Sequence, residues 1–142
     1  GDLYLRDAND ETRTKWRERG LTIHDTPQPI EQAVANARVV VHHGGIGTLE
    51  QVLSIGRPQC IVPRHFEQQK NGEYLGKLGA ATVMKSGNRF QPEHFAQAIT
   101  ATLAQGRFAE NAQAAAMDLE RRGPFNLLAR ITDYVLSTLN AR

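Results

Sequence analysis

At 142 residues, with 40% hydrophobic and 23% charged residues, the chain has the size and make-up of one soluble globular domain, which excludes the disordered and collagen-like classes. Its formal net charge is +2, with 17 basic residues scattered among 15 acidic ones; the lack of a basic run argues against nucleic acid, and the mildly basic balance suits an anionic small ligand or peripheral contact with an anionic membrane surface. The single cysteine, Cys60 in an apolar run, rules out an intramolecular disulfide and Cys-based zinc spacings and points to a reducing cytoplasm, and no stretch reaches the roughly 18 apolar residues of a membrane span.

In chain order, Asp2 to Arg6 reads as a strand, Asp7 to Asp10 as a polar turn and Glu11 to Arg19 as a helix. Leu21 to His24, entered through Gly20, reads as a second strand, so the opening is β-α-β and has no signal core. Residues 25 to 29 (DTPQP) form a proline-bounded loop. Pro29 then stands where a helix can begin without losing a hydrogen bond, and Ile30 to Asn36 is a short helix. Arg38 to His42, continuously apolar at Val39, Val40 and Val41, has the character of a central parallel strand covered on both faces, and Gly44 and Gly45 end it. Thr48 to Ile55 puts Leu49, Val52, Leu53 and Ile55 on a helix face, with Gly56 as its terminating glycine. Pro58 to Val62 is the next strand, stopped by Pro63.

Phe66 to Leu78 is helical with Gly79 as terminator, Ala81 to Met84 is a strand, and Ser86, Gly87 and Asn88 form a turn. Helical patterning fills about 91–140: Pro92 starts a helix with Phe95, Ile99 and Leu103 on one face, Phe108 to Arg122 is a second, and Pro124 opens a last one reaching Leu139. Strands alternating with helices predict a three-layer, Rossmann-like α/β domain with a mostly parallel sheet. Ligands of such sheets bind beyond the strand C-termini, where His24 to Gln28, His42 to Thr48 and Pro63 to Gln68 are expected to converge.

The segment His42 to Glu50 (HHGGIGTLE) runs from a strand through a glycine loop into a helix start. Glycines let the backbone approach an anion, and free N–H groups at a helix start favour phosphate oxygens. Thr48 adds a hydroxyl donor or serves as the N-cap. The loop is not a Walker loop, since Gly47 rather than lysine precedes Thr48, and not a GxGxxG fingerprint, since Glu50 stands at the last glycine position. Adjacent strand residues face opposite ways, so His43 does not share the position of His42. Each of these residues also has a plainer account: a ligand-free turn for residues 44 to 48, a backbone-satisfied ring for His42, a first-turn carboxylate for Glu50, a solvated helix start for Glu67 and Gln68. Arg121 and Arg122 are the adjacent basic pair that suits an anionic surface, and a solvated helix end accounts for them as well.

Residues 42 to 68 (HHGGIGTLEQVLSIGRPQCIVPRHFEQ) resemble the C-terminal donor-binding signature of GT-B glycosyltransferases, the group that holds UDP-glucuronosyl, plant secondary-product, antibiotic and rhamnolipid-type transferases. The matching features are the His and Gly-rich turn, Thr48, Glu50, Gly56 and Pro58, Pro63, and the pair Glu67 and Gln68; the likeness covers about Leu21 to Met84. It implies the C-terminal half of a GT-B fold and a nucleoside diphosphate sugar, UDP- or TDP-linked, as donor. It implies His42 on donor phosphate, Gly44, Gly45, Gly47 and Thr48 on the diphosphate, Glu50 on ribose, and Glu67 and Gln68 on hydroxyls of the transferred sugar. The family more often has Asp where Glu67 stands. Residues 26 to 28 (TPQ) resemble the end of the base-binding loop, which brings Gln28 into the donor site, although the family's usual Trp is absent and His24 or Asp25 stands near its place.

By the same resemblance, transfer is inverting, to a small-molecule or lipid hydroxyl, and neither a cofactor nor a metal is expected. The general base belongs to an N-terminal acceptor domain, so no catalytic residue is expected in this chain. Residues 1 to 142 are accordingly expected to be one nucleotide-sugar-binding domain that lacks its own first strand and helix, inactive alone. The alternatives are a donor-binding subunit of a split enzyme, a nucleotide-sugar epimerase-like domain and a non-catalytic nucleotide-binding module.

Overall fold

Strands β1 (Val40–His42), β2 (Gln59–Ile61) and β3 (Ala81–Val83) pair in parallel in the order β1-β2-β3. The computed structural model describes residues 8–85 and 91–123. The strand expected over Asp2 to Arg6, the turn at Ser86 to Asn88 and the helix from Pro124 to Leu139 lie outside the described residues. Between and around the strands run α1 (Asp10–Glu18), α2 (Ile30–Val34), α3 (Ile46–Ser54), α4 (Phe66–Lys77), α5 (Pro92–Ala104) and α6 (Gly106–Arg122).

The register sets Val40 opposite Gln59, His42 opposite Ile61, Gln59 opposite Ala81 and Ile61 opposite Val83. Because side chains alternate across a strand, these residues share one face of the sheet, and Val41, Cys60 and Thr82 share the other. The first face carries the core, where Ile61 and Ala81 pack with Leu49 and Leu53 of α3, Leu75 of α4 and Ala112 of α6. On the second face the Thr82 and Thr102 hydroxyls lie 2.6 Å apart, and Thr102 donates to the Ala98 carbonyl at 2.8 Å, so Thr82 donates to Thr102 and ties β3 to α5. Helices on both faces of a parallel sheet give the three layers that the alternating pattern predicts.

Local chemistry fixes the helix ends. At the end of α3, Gly56 takes φ +72°, with its N–H on Leu53 O at 2.9 Å and the Arg57 N–H on Val52 O at 3.3 Å, the paired bonds of a left-handed glycine terminator. Gly79 N–H on Gly76 O and Ala80 N–H on Leu75 O repeat the pattern after α4. Pro92 sits in the first turn of α5 as expected.

Three expectations are corrected. Leu21 to His24 forms no strand; the Leu21 N–H turns back to the Trp16 carbonyl at 3.0 Å and finishes α1 instead of joining a sheet, and Leu21 is 53% exposed. A strand at Arg38 to His42 exists, as β1, but it forms an edge of the described sheet with Val41 39% exposed, while β2 is the buried centre. Helix α3 begins at Ile46 rather than Thr48, with Gly45 as N-cap, so Thr48 lies inside the first turn and Glu50 in the second. Gly45, extended at φ −61° and ψ 135°, serves as a cap because glycine tolerates that position nearly as well as a hydroxyl residue.

Candidate functional site

The C-terminal end of β1 leads directly into the glycine loop. Gly44 is buried with φ +89°, and a Cβ there would stand 2.8 Å from Ile61 Cγ2 and 3.0 Å from the Gln68 carbonyl oxygen. Both the backbone conformation and the space therefore demand glycine. Asn71 on α4 donates through Nδ2 to the Gly44 carbonyl at 3.1 Å. Two of the three expected loops thus converge: residues 42–48 are pinned against residues 63–71.

The loop presents a helix start. Leu49 N–H returns to Gly45 O at 2.9 Å, closing the first turn of α3. The Gly45 cap offers no side-chain acceptor to the N–H groups of that turn, which point out of the helix end. Ile46 is 51% exposed, and a Cβ on Gly47 would meet nothing within 4 Å. Thr48 is half-buried and Glu50 exposed one turn on. The arrangement is an open, electropositive backbone cradle.

Behind the cradle lies a chain of three hydrogen bonds. Gly44 N–H donates to His42 Nδ1 at 3.2 Å, His42 Nε2 and Gln59 Oε1 are 2.6 Å apart, and Gln59 Nε2 donates to the Leu49 carbonyl at 3.2 Å. The two ends fix its direction, because a backbone N–H can only donate and a carbonyl can only accept. His42 is therefore the neutral Nε2–H tautomer, with both ring nitrogens engaged. Burial pushes its pKa below the ordinary 6.5, the Gln59 bond acts upward, and the charge of His43 acts downward. The His42 and His43 rings meet edge to face at 6.5 Å and 79°.

At the start of α4, Glu67 is exposed in the first turn, and Gln68 Oε1 accepts the Arg64 N–H at 2.8 Å. That bond ties the residue before the His65 N-cap to the first turn of α4 and leaves the Gln68 amide N–H₂ as donor. Gln28 folds back on its own loop, its Nε2 reaching Thr26 O at 3.1 Å and Thr26 Oγ1 at 3.3 Å. Asp25 is paired with Arg13 at 2.6 Å, so the described polar contacts tie this third loop to α1 rather than to the cradle.

Two residues of the cradle escape sequence reasoning. Asn71 looks like one polar residue among many on α4. Gln59 carries a signal that goes unused: it is an amide inside the apolar run Pro58 to Val62, and it is 0% exposed. Among the described residues, no cluster of three or more His, Cys, Asp and Glu could hold a metal ion, and no helix is long and apolar enough to cross a membrane.

A family model described as erythromycin biosynthesis protein CIII-like, C-terminal domain, matches residues 25–130. A PGL/p-HBAD biosynthesis glycosyltransferase of Mycobacterium tuberculosis (strain ATCC 25177 / H37Ra) is 32% identical over 85 residues, 60% of this chain and 20% of the relative. The erythronolide mycarosyltransferase of Saccharopolyspora erythraea is 27% identical over 84 residues, 59% of this chain and 20% of the relative. The chain thus spans about a fifth of the length of these curated relatives. Among solved structures, the glycotransferase of kitacinnamycin superposes with a TM-score of 0.68 at 23% identity, covering 80% of this chain and 29% of that one. A spinosyn rhamnosyltransferase complexed with thymidine diphosphate gives a TM-score of 0.63 at 23% identity over 74% of this chain and 30% of that one.

Proposed function

The chain belongs to the erythromycin biosynthesis protein CIII-like C-terminal domain family and has the fold of the C-terminal half of a GT-B glycosyltransferase, and from that premise we propose that it is the donor-binding half of an inverting transferase. The donor is a UDP- or TDP-linked sugar. One observation carries the reading: the 42–48 loop is locked through Gly44 against the start of α4, so an open helix start stands beside a helix start bearing the Glu67 and Gln68 side chains.

In this reading the diphosphate lies over Gly44, Gly45 and Gly47, accepting backbone N–H bonds from the first turn of α3 and the Thr48 hydroxyl. Glu50 accepts from ribose hydroxyls. Glu67 and the free amide of Gln68 bind hydroxyls of the transferred sugar, and Gln28 borders the base. His42 serves the site through its bond to Gly44, because its ring has no nitrogen to spare for phosphate in the observed arrangement. The helix start and hydroxyl stabilise the leaving diphosphate electrostatically, with neither metal nor cofactor.

The acceptor molecule that carries the hydroxyl is held by an N-terminal acceptor domain or subunit, which also supplies the general base. That base takes the hydroxyl proton as the new C1–O bond forms and the bond from C1 to the diphosphate oxygen breaks. A small-molecule or lipid hydroxyl in the cytoplasm fits the family. Isothermal titration of the chain with UDP and with TDP is expected to give saturable binding, weakened about tenfold in Glu50→Ala by loss of one charge-assisted pair of bonds. Absence of binding at millimolar nucleotide overturns the reading; an unchanged affinity in Glu50→Ala removes the ribose assignment.

A further inference from the structure

Gln59 opens the central strand β2 and is 0% exposed. Burying a primary amide is costly unless both its ends are bonded, and here each end serves the glycine loop. Oε1 accepts a hydrogen bond from His42 Nε2–H, and Nε2–H₂ donates to the Leu49 carbonyl, on the far side of the loop from Gly44. We propose that Gln59 is a positioning residue of the donor site: it fixes His42 as the Nε2–H tautomer, so that Nδ1 accepts the Gly44 N–H and the loop keeps its phosphate-receiving shape.

The inference rests on reading the loop as the diphosphate site, and it reassigns His42 from a direct phosphate ligand to a strut beneath the loop. The geometry leaves little choice. If the tautomer were reversed, Nδ1–H would face the Gly44 N–H and the bare Nε2 would face Gln59 Oε1, two repulsive contacts in place of two bonds. An imidazolium keeps the Gln59 bond and loses the Gly44 one; burial pushes the ring's pKa down against the upward pull of the Gln59 bond and so favours the neutral ring that can accept from Gly44. The register that sets Gln59 opposite Val40, on the same sheet face as His42, is what allows the amide to reach the ring.

The test is ¹⁵N NMR of histidine side chains and of the Gly44 amide in the full chain, combined with UDP titration. In the unaltered protein His42 is expected to show the Nε2–H pattern, with Gly44 N–H protected from exchange. Gln59→Met keeps the volume and removes both bonds; His42 is then expected to mix tautomers, Gly44 exchange to quicken, and UDP affinity to fall about tenfold. Gln59→Glu keeps an acceptor and adds negative charge, so His42 retains the Nε2 proton but titrates at higher pH; His43 is the titratable neighbour already acting on the ring. Should Gln59→Met fail to fold, the Glu variant decides. A His42 titration untouched by Gln59→Glu, or a His42 tautomer and Gly44 exchange untouched by Gln59→Met, overturns the relay. Failure of UDP to bind the unaltered protein sinks the donor-site reading instead, and leaves the tautomer measurements to decide the relay by themselves.

Discussion

Helices α1 and α3 are both nine residues long, yet they are held by opposite means. Helix α1 buries no residue. It is closed by its own polar chemistry: the Asn9 side chain accepts the Thr12 N–H at 2.9 Å, Lys15 pairs with Glu11 at 2.6 Å, and Arg13 pairs with Asp25 at 2.6 Å. Helix α3 has a glycine cap with no side-chain bond, and it buries Leu49, Val52 and Leu53. The difference teaches where a binding end can exist. A helix whose first turn is closed by a capping side chain has fewer N–H groups to offer, whereas one anchored by packing can leave its start open to a ligand.

The largest effect expected from this contrast is that of Gly44→Ala. A Cβ at that site meets Ile61 and the Gln68 backbone within 3.0 Å in a left-handed conformation, so the substitution should cost about 2–4 kcal/mol from combined backbone strain and overpacking. Urea unfolding checks it; a loss under about 0.5 kcal/mol means the loop is not wedged against α4. Next comes Asn9→Ala, which removes the α1 cap and should cost about 1 kcal/mol. Because α1 buries nothing, that loss should appear as faster amide exchange in residues 10–18 with the core's unfolding midpoint in place. A shifted core midpoint would mean α1 is coupled to the sheet.

Features set by neighbours in sequence were readable. Gly56 and Gly79 end their helices, and Pro92 starts one, because a left-handed glycine or a first-turn proline acts within a few residues. The glycine loop was readable from the motif, and it leads into the open start of α3 with the Gln68 backbone beside Gly44. What was not readable depends on partners distant in the chain. Val39 to Val41 look like a central strand, and their edge position follows from which strands pair beside them. Gly45 as cap rather than loop moves Thr48 off the cap and Glu50 out of the first turn; a glycine pair suits either state. Gln59 acquires its part only when the register sets it on the sheet face of His42.

A smaller effect is expected from Gly47→Ala, which separates stability from binding at the open end. The added methyl meets no neighbouring side chain or loop, and alanine is the better helix former, so stability should hold or rise by up to about 1 kcal/mol. The methyl nevertheless intrudes where a phosphate must approach the N–H groups, and UDP affinity should fall roughly tenfold. An equal change in alanine's favour at both properties would mean the anion does not lie over Gly47.

The gentlest effect is that of pH, and it reaches the α3 end through His42, whereas α1 contains no histidine. His42 has its pKa pushed below 6.5 in the folded chain, chiefly by burial. Below that ordinary value the unfolded chain takes up a proton that the folded chain resists, so stability rises with pH across the interval. The contribution is complete above 6.5, declines as pH falls toward the folded value, and is lost once the ring is charged and Nδ1 no longer accepts from Gly44. Glu73, which Lys70 and Gln69 hold below the ordinary carboxylate value of 4.5, titrates under this window. Urea midpoints measured from pH 7.5 down to 5 should therefore decline, and His42→Asn should flatten the decline. Over the same range Gly44 N–H exchange, corrected for its intrinsic pH dependence, should quicken ahead of the amides of α1. A slope that survives in His42→Asn would assign the acid sensitivity to another group and separate the ring's proton from the shape of the loop.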